Sequence, residues 1–201
     1  MAIITISRQI GAGETSVAPA LAERLGWECV DNKILDREVE ETGIKMPYVV
    51  HYDEHAPGLL ESWSHPLEAQ RYFEALKRIM KEYAKGSGLV IVGRGGNFIL
   101  RDADALHVRL VADIWFRIQR VMAVRWVNEG PAREIIVQND HDRAAFHRHY
   151  FKADWNDPLN YHVVLNTSRL GIEQTIETLA RMARERWNDI QESEGEDTGK
   201  R

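Results

Sequence analysis

The chain has 201 residues, 44% of them hydrophobic and 28% charged, with a formal net charge of -5. That length suits one domain with a full hydrophobic core, and the acidic total argues against a general nucleic-acid binder. A single cysteine, Cys29, excludes an internal disulfide and fits a reducing compartment.

The chain enters an apolar run at once, Ile3 to Ile6, which reads as a buried strand with no signal peptide before it. Arg8 to Ser16 then has the layout of a phosphate-binding loop, G-x-x-x-x-G-K-[ST], with two replacements. Gly13 and Thr15 hold the second glycine and the hydroxyl, whereas Arg8 stands at the first glycine and Glu14 at the lysine. A carboxylate where an ammonium ordinarily meets the β- and γ-phosphates is repulsive. The backbone part of the motif survives. Gly11 and Gly13 permit positive φ, and N–H groups along Gly11, Ala12, Gly13, Glu14, Thr15 and Ser16 open a helix N-terminus that suits an anion. Thr15 offers a hydroxyl to Mg2+. The same residues equally suit a plain strand-turn-helix connection in which Thr15 or Ser16 caps the helix.

The first helix is expected from Thr15 to Leu25, with Pro19 in its first turn and Gly26 as its C-cap. A strand at Trp27 to Val30 places Cys29 in the core, and Asp31-Asn32-Lys33 leads into a helix over Lys33 to Glu41. Gly43 to Pro66 is irregular, and Leu67 to Ala84 is helical. A strand at Leu89 to Val92 runs into Gly93-Arg94-Gly95-Gly96, and Leu106 to Leu110 is a further strand. Ile114, Ile118, Val121 and Met122 line a helix that ends near Asn128, before Gly130-Pro131. A polar helix over Arg133 to Tyr150 carries Arg143, Arg148 and three histidines. The strand Tyr161 to Leu165 leads into Asn166-Thr167-Ser168-Arg169. The last helix covers Leu170 to Trp187, and the polar tail 191–201 is expected to be disordered. No run approaches the ~18 apolar residues of a membrane span, so a cytoplasmic protein is expected.

Five apolar runs alternating with helical segments predict an α/β fold, a five-stranded parallel sheet flanked by helices. Ligands of such sheets sit beyond the carboxyl ends of the strands. Arg8 to Thr15, Asp31 to Lys33, Gly93 to Gly96 and Asn166 to Arg169 all fall at that edge.

With these residues in place, the chain resembles the cytidylate kinase-like family, a branch of the P-loop nucleoside monophosphate kinases, from Ile3 to about Leu179. The resemblance rests on Ile-Thr-Ile-Ser-Arg-x-x-Gly-x-Gly, Asp31 to Arg37, Gly93-Arg94, Asp140-His141-Asp142-Arg143-Ala144 and Tyr161 to Leu170. It implies a three-layer P-loop fold over 1–190, with an acceptor-binding region near 31–85 and a helical lid near 129–157. By resemblance Arg94 and Arg37 hold the acceptor phosphate, and Asp140 and Arg143 close over base and phosphates. Ile136 stands where the family has a further lid arginine, and Asn32 where it has a small hydroxyl residue. The implied activity is Mg2+-dependent transfer of the ATP γ-phosphate to a CMP- or dCMP-like acceptor. Arg143 and Arg148 would neutralise the transferring group, and Arg8 would supply the charge missing at Glu14. A nucleotide-binding sensor without catalysis is the alternative, because of Glu14. The expected partners are small nucleotides rather than a nucleic-acid polymer or a membrane, with a homodimer contact through 43–66 left open.

Other features weigh less. His51-Tyr52-Asp53-Glu54-His55 spells the H-x-x-E-H pattern of one metalloprotease class, but Pro47 and Pro57 leave room for barely two turns. His147 and His149 fall on different helix faces and read as lid surface or phosphate contacts. Trp155 is the tryptophan placed to cover a ligand, and Arg117 the arginine of its helix nearest the sheet edge.

Overall fold

The computed structural model describes residues 1–13, 16–44 and 66–195, with backbone alone at 66 and 188–195. Its five strands are β1 (Ile3–Arg8), β2 (Glu28–Val30), β3 (Leu89–Val92), β4 (Ala105–Val111) and β5 (Val163–Asn166). All pairs are parallel, in the order β2-β3-β1-β4-β5. The central strands β1 and β3 are buried throughout, as a parallel sheet covered on both faces requires. β2 lies at the edge, where Cys29 is half-buried rather than fully enclosed.

Side chains alternate between the two faces. Ile4 and Ile6 join the core under α1 (Val17–Leu25) and α8 (Ile172–Gly195). Ile3 joins the opposite core under α2 (Asn32–Glu41) and α3 (Pro66–Tyr83). On that second face the β1/β4 register passes from Ile3 and Ala105 to Thr5 and His107, then to Ser7 and Arg109. The floor therefore turns polar towards the carboxyl edge while staying buried. A third core joins Ile10 to Ile118 and Val121 of α5 (Ile114–Arg125) and to Ala132 and Ile136 of α6 (Glu129–Phe151). Ile136 is therefore a core residue, and an arginine there would be enclosed by aliphatic groups.

The boundaries differ from expectation in three places. Gly130 and Pro131 lie inside the first turn of α6, where a missing N–H leaves no bond unmade. α8 runs on to Gly195, past the expected start of the tail. The short helices α4 (Gly96–Ile99) and α7 (Thr167–Leu170) are too brief to show periodicity. Residues 45–65, which include His51 to His55, and 196–201 lie outside the described residues.

Candidate active site

β3 leaves the sheet through three consecutive residues with positive φ: Gly93 at 78°, Arg94 at 50° and Gly95 at 71°. Glycine is required on either side of Arg94. A Cβ on Gly93 would stand 2.5 Å from Arg8 Nη1, and one on Gly95 would enter the Phe151 ring. Arg94 itself takes the left-handed conformation, which costs an L-residue about 1–2 kcal/mol. Its side chain is anchored on Asp36. Nε donates to Oδ1 at 3.0 Å, Nη2 donates to Oδ2, and the Tyr72 hydroxyl donates to the same Oδ1. Both charged side chains are only 9% exposed. Burial raises the Tyr72 pKa far above its ordinary value, which keeps the hydroxyl a donor.

The sequence places Asp36 there. Asn32, Leu35, Asp36 and Val39 form the buried face of α2 at i, i+3, i+4 and i+7. Arg37 falls off that face and is exposed. Asp31 is the N-cap of α2, and its carboxylate accepts from the Ile34 N–H at 3.0 Å.

Arg94 lines a cleft at the carboxyl edge of β1 and β3 together with Arg8, Asn32 and Arg143; Thr5 and Ser7 line its floor, and Phe146, His147 and Trp155 also face it. Counting the solvent space at its open mouth, the empty volume of the cleft is about 590 Å³. Arg143 donates to the Arg8 carbonyl, and Arg8 Nη2 reaches Asn32 Oδ1 at 3.4 Å. Three guanidiniums around one cleft suit a dianion that can accept bidentate hydrogen bonds, such as a phosphate monoester.

Arg109 of β4 fixes the wall beside the cleft. It donates to the Trp155 carbonyl at 2.7 Å and to Asn156 Oδ1 at 2.8 Å, with its guanidinium 3.9 Å from the Trp155 ring centre. Trp155 in turn donates from Nε1 to Ser7 Oγ at 2.9 Å and is 1% exposed. His147 is 5% exposed, a wall residue rather than the surface residue that a polar helix suggests; His149, on another face, is exposed.

The glycine loop lies at the same sheet edge. Gly11 (φ 77°) and Gly13 (φ 105°) carry the chain from β1 to the N-terminus of α1. A Cβ on Gly11 would lie 2.7 Å from the Arg117 carbonyl oxygen. Arg117 braces the loop: Nε donates to the Ile10 carbonyl at 2.7 Å, and both terminal nitrogens donate to Asp140 at 2.8 Å. Asp140 thus serves as the partner of Arg117, tying α6 to α5. The Ala12 carbonyl accepts from the Thr167 hydroxyl, and Ser16 Oγ accepts from Arg120 at 3.0 Å. Thr167, Ser168 and Asn166 are likewise engaged in holding the β5–α7 junction.

Of the residues expected at the site, Arg8, Arg94 and Arg143 converge on the cleft. Arg37 and Arg148 are exposed and, among the described residues, do not line it. Glu14 and Thr15 lie outside the described residues. Asp36 and Arg109 were not expected at the site, and His147, read as lid surface or a phosphate contact, lines its wall. Asp36 and Arg109 carry a signal in hindsight, a charge at a buried position of an amphipathic helix and of an apolar strand.

A family model described as the cytidylate kinase-like family matches residues 3–169. The chain belongs to the cytidylate kinase-like family. It is similar to proteins named cytidylate kinase from Methanoregula boonei, 26% identical over 85% of this chain and 87% of the relative, and from Pyrococcus horikoshii, 27% identical over 83% and 80%. Among solved structures, an uncharacterized protein from Eubacterium ventriosum aligns with a TM-score of 0.71 at 22% identity, covering 91% of this chain and 98% of the other. A shikimate kinase from Bacteroides thetaiotaomicron aligns at 0.55 and 19% identity, covering 90% and 97%. The cytidylate kinase-like family and these neighbours agree on a three-layer P-loop fold. No described helix is long and apolar enough to cross a membrane.

Proposed function

We propose that this chain is a nucleoside monophosphate kinase that moves the γ-phosphate of ATP to a CMP- or dCMP-like acceptor. The convergence of Arg8, Arg94 and Arg143 on one cleft beside a glycine loop carries this reading. The acceptor phosphate lies against Arg94, which Asp36 and the left-handed turn hold in place before a ligand arrives. Preorganised charge of this kind needs no rearrangement at the moment of transfer. Arg143 comes from the lid helix α6 and adds the cation that neutralises charge spread over the transferring oxygens. Gly11 and Gly13 at the start of α1 fit a donor phosphate cradle, because both have positive φ and lead into a helix N-terminus. Thr15 is the residue whose motif position suits Mg2+, which would screen the donor phosphates.

Glu14 supports a second reading, a nucleotide sensor that binds without transfer. An assay of diphosphate formation from ATP, Mg2+ and CMP separates the two. The kinase reading expects CDP and ADP in equal amounts and faster turnover in Glu14→Lys. Calorimetric binding of CMP with no product, in both forms, would favour the sensor.

A further inference from the structure

His147 lies on α6 one turn beyond Arg143, so the helix that brings a guanidinium to the cleft brings an imidazole as well. Its Nδ1 sits 2.6 Å from the Arg143 carbonyl oxygen, an atom with lone pairs only. Nδ1 therefore carries the proton, and Nε2 presents a lone pair. Nε2 is buried, and no group among the described residues donates to it. A buried acceptor left unmet costs about 1–3 kcal/mol.

The surroundings limit what can meet it. The ring stacks on Trp155 at 6.0 Å and lies 5.5 Å from Phe98 and 5.4 Å from Phe146. The phenylalanines have no donor, and the Trp155 Nε1 proton is already given to Ser7 Oγ. Burial lowers the His147 pKa to about 4 against the opposing hydrogen bond to the Arg143 carbonyl, so the ring is neutral at pH 7.

We propose that His147 determines specificity in this cleft, its Nε2 accepting a hydrogen bond from an amino or hydroxyl group of the acceptor substrate. A carbonyl or phosphate oxygen brought to the same place would set lone pair against lone pair. An amino-bearing base such as cytosine is thereby preferred over its oxo counterpart, uracil. The inference rests on the nucleotide reading of the cleft and adds to it a residue that selects among acceptors.

The test is calorimetric titration of CMP, UMP and dCMP against the wild type, His147→Phe and His147→Gln. Phenylalanine keeps an aromatic ring without the acceptor, and glutamine supplies an acceptor without the ring. The wild type is expected to bind CMP about tenfold or more tightly than UMP. His147→Phe should erase that preference by weakening CMP about tenfold while leaving UMP within about twofold, and His147→Gln should keep part of it. If the preference erased is instead that of CMP over dCMP, the donor is the sugar 2′-hydroxyl. Equal binding of all three by the wild type, or equal weakening of all three in His147→Phe, overturns the proposal and leaves the nucleotide reading standing. Failure of the wild type to bind any of them overturns both.

Discussion

Arg94 and Asp36 are locked guanidinium to carboxylate beneath the cleft, with Arg94 in a left-handed turn and both side chains nine-tenths buried. Removing one partner of a buried pair leaves an uncompensated charge, at a cost of about 3–5 kcal/mol. Asp36→Asn should therefore lower stability by that order in urea denaturation. It should also weaken CMP binding, because the Arg94 side chain loses its anchor. Tyr72→Phe removes one hydrogen bond to the same charged carboxylate, and about 1.5–3 kcal/mol is expected.

Asp140 gives a prediction of the opposite kind. Because it is engaged by Arg117, Asp140→Asn should reduce stability without changing which nucleotide binds best. Asp140 keeps 29% exposure, so about 1–3 kcal/mol is expected, below the fully buried case. A change in the CMP-to-UMP affinity ratio in this variant would show that Asp140 reads the base.

The five parallel strands, the glycine loop and the arginine after β3 were legible because each is a local pattern. β-branched runs mark buried strands, and glycine beside arginine marks a strand end. What failed to show was which face a polar residue takes. Arg37 and Asp36 are neighbours in sequence, yet only Asp36 shares the stripe of Leu35 and Val39. Arg148 and His147 are neighbours in the same way, and only His147 turns inward. α6 has polar residues on every side, so its periodicity gives little sign of the inward face. The pairing of Asp140 was hidden for another reason: its partner Arg117 comes from a different helix, and no spacing in the chain records that contact.

Gly11 and Gly26 separate conformational strain from collision. Both have positive φ, 77° and 69°, so alanine at either pays the left-handed penalty of about 1–2 kcal/mol. Only at Gly11 does the added Cβ meet backbone, the Arg117 carbonyl oxygen at 2.7 Å, whereas at Gly26 it meets open space. Gly11→Ala should be the more destabilising by ~2 kcal/mol or more in matched denaturant curves. Equal losses would mean that the loop and α5 are not packed as described.

Acid should weaken the fold through its buried imidazoles. His147 and His107 are each lowered to about 4, chiefly by burial; Arg109 and Arg143 add to this at His147, and His162 and Arg186 at His107. A histidine with a depressed folded pKa binds its proton in the unfolded chain first. The stability it contributes is therefore whole above about pH 6.5, falls as the pH drops towards 4, and levels off below that. Across that window Tm should decline, and the decline should be shallower in His147→Phe. An unchanged slope in that variant would mean that His147 is not held neutral in the folded state.

Central to the proposed function is a phosphate site organised by Arg94. The direct measurement is calorimetric titration of CMP and of cytidine, which lacks the phosphate, into the wild type and Arg94→Ala. The wild type should bind CMP about 100-fold or more tightly than cytidine, and Arg94→Ala should remove most of that difference with little effect on cytidine. Cytidine binding as tightly as CMP, or a phosphate preference that survives Arg94→Ala, would contradict it.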